Sequence, residues 1–123
     1  MSDKPVAERL QVKGKRRLAV IDAPTGVDSQ IGVIKQRCNV SKADVVLLFA
    51  ANCAHLESSL PKMLKKMAKE SIIWIAYPKL SSQLAGDISR EVIRALVARL
   101  GLDTVSQIAI DDDWSAMRVK RSR

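Results

Sequence analysis

Residues 43–51 constrain this chain more than any other segment, because Val45, Val46, Leu47, Leu48 and Phe49 follow one another without a polar break. In an extended strand, successive side chains point to opposite sides, so an unbroken apolar run makes both faces hydrophobic. Such a strand has to be covered above and below, which places it at the centre of a mostly parallel sheet. Residues 72–77 form a second solid apolar run, stopped by Pro78. Residues 18–22 read as a first strand, introduced by Gly14 and closed by Ala23-Pro24-Thr25-Gly26. Residues 31–40 are less defined, with a short strand expected around 33–37.

Two helices link these strands. Leu56, Leu60, Met63, Leu64 and Met67 make one stripe at helical period, with Lys62, Lys65, Lys66 and Lys69 on the opposite face. Pro61 interrupts this pattern, so the helix either kinks there or begins there. The second helix has better-marked ends. Ser89 suits an N-cap, Glu91 suits the first turn, and Gly101 sits where a glycine closes a helix. Its apolar stripe is Val92, Ile93, Leu96, Val97 and Leu100. Residues 105–110 and 116–120 then read as two strands. Their link is too short for a parallel crossover, so they form an antiparallel hairpin. The alternation in 116–120 predicts an edge strand with one wet face.

Strand order and helix placement give an α/β fold, a mostly parallel sheet ending in an antiparallel hairpin. This is similar to the C-terminal half of class I methyltransferases, a Rossmann-like three-layer sandwich. One domain is expected over residues 1–123, with 1–8 and 121–123 flexible.

Composition narrows the function classes. The chain has 123 residues, 47% of them hydrophobic, which excludes disorder. Aromatic residues are only 3%, leaving few platforms on which bases could stack. The N-terminal segment is charged throughout and no apolar run spans a bilayer, so a cytoplasmic protein with no membrane partner is expected. Cys38 and Cys53 lack metal or redox spacing, which agrees with a reducing compartment. The net charge of +8 gathers near the N-terminus, along the lysine helix and at the C-terminus. Lys62, Lys65, Lys66 and Lys69 are therefore candidates for electrostatic nucleic-acid binding. Solvated faces explain the same pattern without a partner.

Four segments carry a further resemblance: Ala23-Pro24-Thr25-Gly26, Ala43-Asp44-Val45-Val46, WIAYPKLSS over 74–82, and DDDWSAMR over 111–118. From about Arg9 onward the chain resembles an uncharacterised bacterial family, a domain of unknown function met mainly in actinobacteria and proteobacteria. The resemblance implies a fold and a bacterial source but no activity, and it is weakest over 27–41.

Candidate site residues follow from the fold. Ligands of open α/β sheets bind beyond the carboxyl ends of the strands. Thr25, Gly26, Asn52, Lys79, Ser81 and Ser82 lie just past such ends and suit a small anion. In the plainer reading Lys79 pairs with a carboxylate such as Asp22 and the serines shape turns. The first-strand exit offers one glycine and a proline that has no N–H, so no cofactor is assigned. Asp111, Asp112 and Asp113 are expected to shape the hairpin loop rather than hold a metal. Cys53 and His55 are close in sequence, but a catalytic pair needs a third group to orient the base, and none is evident. His55 is read as a first-turn surface residue. No catalytic set emerges. The expectation is a non-catalytic binding or regulatory module with a protein partner or a small anion. The alternatives are a small enzyme or ligand-binding protein with its site at the strand ends, and electrostatic nucleic-acid binding.

Overall fold

A computed structural model describes residues 6–12, 14–24, 26–27, 31–32 and 34–121. Among the described residues five strands form one sheet: β1 (Leu18–Ile21), β2 (Val45–Phe49), β3 (Ile72–Pro78), β4 (Leu102–Ala109) and β5 (Trp114–Arg121). Their order across the sheet is β1-β2-β3-β5-β4. β1, β2 and β3 are parallel, and β5 runs antiparallel to both β3 and β4. The architecture is a mixed α/β Rossmann-like sheet, as the strand pattern predicts. Among the described residues no helix is long and apolar enough to cross a membrane.

The apolar strands are covered on both sides. On one face, Val46, Leu48, Ile73 and Ile75 pack with residues of α2 (Cys53–Lys66) and α3 (Arg90–Arg99). On the other, Val45, Leu47, Phe49 and Trp74 meet Ala7 and Leu10, from the segment containing the short helix α1 (Val6–Arg9), together with Val27 and Ile31. The buried Trp74 indole Nε1 donates to the Leu10 carbonyl at 2.9 Å, tying this N-terminal segment to the middle of the sheet.

Both long helices start on side-chain caps. Asn52 accepts a hydrogen bond from the His55 amide, and Ser89 accepts one from Val92. Of the two expectations for Pro61, the structure has it inside α2, which starts eight residues earlier. A proline there removes one helical N–H, and burial of Leu56, Leu60 and Met63 holds the helix together across the gap. Gly101, with φ 77°, supplies the left-handed residue that ends α3.

Two details correct the sequence reading. Residues 34–36 form a 3₁₀ turn rather than a strand, and Arg37 alone bridges Leu18 on the outer side of β1. The wet edge strand is β4, while β5 is inserted between β3 and β4. Ser115, Ala116, Met117 and Val119 are accordingly buried. The α3 crossover leaves a one-strand gap beside β3, and the returning arm of the hairpin fills it. A register shift between Thr104 and Ser106 then breaks the exposed β4 edge, a feature that discourages pairing with another chain.

Removing the indole donor should loosen the N-terminal cover. Trp74→Phe keeps an apolar ring but orphans the Leu10 carbonyl, and a loss of about 1–3 kcal/mol in urea unfolding is expected. Limited proteolysis should cut within residues 6–12 of the variant before it cuts elsewhere.

Candidate functional site

The exits of β1 and β2 diverge. After β1 the chain carries Val27 and Ile31 to the Trp74 face, whereas β2 leads into α2 on the opposite face. Diverging exits at the carboxyl ends of neighbouring strands mark the crevice position at which open α/β sheets bind ligands.

Asp22 and His55 meet in that crevice. Asp22 follows β1 directly and has φ 59°, in the left-handed region. Aspartate tolerates this conformation better than most residues, and such strain concentrates at functional positions. His55 lies in the first turn of α2, positioned by the Asn52 cap, whose Oδ1 accepts from the His55 amide at 2.8 Å. The His55 Nε2 and Asp22 Oδ2 are 2.8 Å apart, and the two side chains are 31% and 51% exposed. A small molecule can therefore reach the pair. An ionised carboxylate only accepts hydrogen bonds, so the neutral imidazole carries its proton on Nε2 and its lone pair on Nδ1.

This arrangement corrects the reading of His55 as a surface residue without an orienting group. Asp22 is that group, and it pairs with His55 rather than with Lys79. Thirty-three positions separate the two residues, so no local motif could have revealed the contact. The composition held one hint: the chain has a single histidine.

Cys53 is no nucleophile beside it. Its thiol Sγ donates to the Asp87 carbonyl at 3.2 Å. Burial, then the charges of Asp87 and Glu57, push its pKa up, so the thiol form persists at neutral pH.

The other predicted residues are dispersed. Thr25 lies outside the described residues. Gly26 adopts φ 91° in the turn after β1. A Cβ built there would meet no other residue within 4 Å, so the left-handed φ rather than a close protein neighbour is what calls for glycine. Asn52 is committed to capping α2. Lys79 and Ser81 line a separate cavity of about 720 Å³ beyond β3. The Ser82 hydroxyl donates to Asp113 at 2.7 Å and accepts from the Leu84 amide at 3.0 Å. Asp111 Oδ1 accepts from the amides of Asp113 and Trp114, shaping the hairpin loop. Lys62, Lys65 and Lys66 are exposed on α2, and Lys69 lies past its end.

No protein-family model and no curated protein matches this chain. Solved structures match its fold over nearly its whole length. The tRNA methyltransferase TrmK of B. subtilis aligns with a TM-score of 0.59 at 9% identity, over 95% of this chain and 64% of that one. The ribosomal protein L11 methylase of Lactobacillus delbrueckii subsp. bulgaricus gives 0.60 at 12% identity, over 95% and 75%. A protein of the NADB-Rossmann superfamily from Streptococcus agalactiae gives 0.53 at 8%, over 100% and 70%. The chain thus spans about two thirds of TrmK and three quarters of the methylase. The fold is that of methyltransferase-like Rossmann domains. This finding overturns the expectation of a non-catalytic binding or regulatory module of unknown function, because the scaffold is one on which methyltransferases are built.

The raised Cys53 pKa gives a direct check. Iodoacetamide should alkylate Cys53 more slowly than a free cysteine at pH 7.5. The rate should still be climbing at about pH 9, above the ordinary thiol range. Mass spectrometry of the labelled peptides separates Cys53 from Cys38.

Proposed function

We propose that this chain is a methyltransferase-like catalytic domain whose β1–β2 crevice works by general-base chemistry. His55 is the base and Asp22 the carboxylate that orients it. The observation that carries this reading is the 2.8 Å contact between His55 Nε2 and Asp22 Oδ2 across the two strand ends. With Nε2 held by Asp22, Nδ1 is placed to take up the proton of a hydroxyl or amine bound beside it, leaving that oxygen or nitrogen the stronger nucleophile. The carboxylate then faces the imidazolium that forms and stabilises it by charge. The methyltransferase fold of the solved neighbours favours a methyl group as the one transferred.

The methyl donor S-adenosylmethionine does not fit the β1 exit in the usual way. Pro24 lacks the N–H a phosphate- or carboxylate-cradling turn would offer, and the exit carries one glycine where such a turn carries several. Beyond β1, Arg37 makes an isolated bridge with Leu18, where a fuller sheet would place a strand bearing a ribose-binding carboxylate. Donor binding is therefore not assigned to these residues, and the reading rests on the acid–base pair.

A substrate-independent assay tests it. Hydrolysis of p-nitrophenyl acetate should be accelerated by the wild-type protein and lost in His55→Gln, by about a hundredfold or more. Asp22→Asn should lower kcat by tenfold or more, with KM little changed, since it removes orientation and charge rather than binding. Equal rates in wild type and His55→Gln would refute the proposal.

A further inference from the structure

The cavity beyond β3 lies apart from the Asp22–His55 pair, neither of which lines it. It is lined by the buried Tyr77 and Ser115 and by the more exposed Gln107, Lys79, Arg90 and Leu80. At about 720 Å³ it is in the range of small-molecule pockets. Tyr77 and Ser115 are register partners on neighbouring strands, so their side chains share one face, the face covered by α3.

Three observations point to an occupant. Ser115 is only 4% exposed, yet its hydroxyl makes no hydrogen bond to a described residue. The hydroxyl is not sealed from solvent, and the small accessible part of Ser115 opens on the cavity, where it can meet a polar ligand group. Leu80 leaves a large apolar side chain 71% exposed at the rim, where a bound molecule would cover it. The lining carries two cations, Lys79 and Arg90, against one carboxylate, Glu91. Glu91 engages Arg90 only at 3.8 Å, on the exposed side, so the guanidinium keeps most of its donors. Arg90 also begins α3, whose amino end adds partial positive charge.

We propose that this cavity binds a small organic anion, one phosphate or carboxylate group on an apolar body of ring size. The anionic oxygens lie between Lys79 and Arg90. The body rests on Leu80 and on Ala109, the register partner of Ser115, and a polar substituent meets the Ser115 hydroxyl.

The probe is 2-naphthyl phosphate, titrated into the full chain and followed by amide NMR. Saturable shifts should centre on Ser115, Gln107 and Arg90. Combining Lys79→Ala with Arg90→Ala should weaken binding by about tenfold or more, with each variant's thermal unfolding checked first. Ser115→Ala should weaken it severalfold. Inorganic phosphate and 2-naphthol, each holding half of the recognised chemistry, should both bind more weakly than the ester. His55→Gln should bind the probe as the wild type does, so loss of the acid–base reading leaves this one standing. Three results would each overturn the proposal: equal affinity in wild type and the double variant, 2-naphthol binding as tightly as its phosphate, or shifts centred on Lys62, Lys65 and Lys66.

Discussion

β2 is apolar on both faces, and the rest of the molecule answers to that. Val45, Leu47 and Phe49 point one way, Val46 and Leu48 the other, and all five are buried. Exposing either set would forfeit about 1.5–3 kcal/mol for each large side chain. The two long helices both lie on the Val46 face, so the opposite face needs other cover. The chain supplies it with the N-terminal segment, held by the Trp74–Leu10 hydrogen bond, and with Val27 and Ile31 from the β1 exit.

That second cover creates the site. To reach the Trp74 face the chain must leave β1 away from α2, and the two exits part. Asp22, in its left-handed conformation, sits where they part, and the capped first turn of α2 brings His55 to it. The same need for a covered sheet thus explains both the crevice and its acid–base pair. The scaffold matches methyltransferases in fold, while the glycine turn of a conventional nucleotide site is replaced by Ala23-Pro24-Thr25-Gly26, with one glycine.

Much of this was legible in the sequence where a local pattern expressed a local cause. The runs at 45–49 and 72–77 announce buried strands because nothing else satisfies two apolar faces. Ser89 and Gly101 mark helix ends because unpaired backbone groups demand them. What stayed hidden depends on distant parts of the chain. The place of β5 inside the sheet follows from the gap left by the α3 crossover, which alternation in 116–120 cannot express. Residues 34–37 look strand-like, yet only Arg37 meets β1. The Asp22–His55 contact and the place of the Ser115 hydroxyl beside the cavity are products of the fold, which no local pattern expresses.

Because His55 is the only histidine in the chain, its imidazole can be observed alone. Nitrogen-15 NMR of the neutral side chain measures the central claim most directly. The account predicts a proton held on Nε2, a lone pair on Nδ1, and a weakening of that preference in Asp22→Asn. A proton on Nδ1, or a spectrum indifferent to Asp22→Asn, would contradict it.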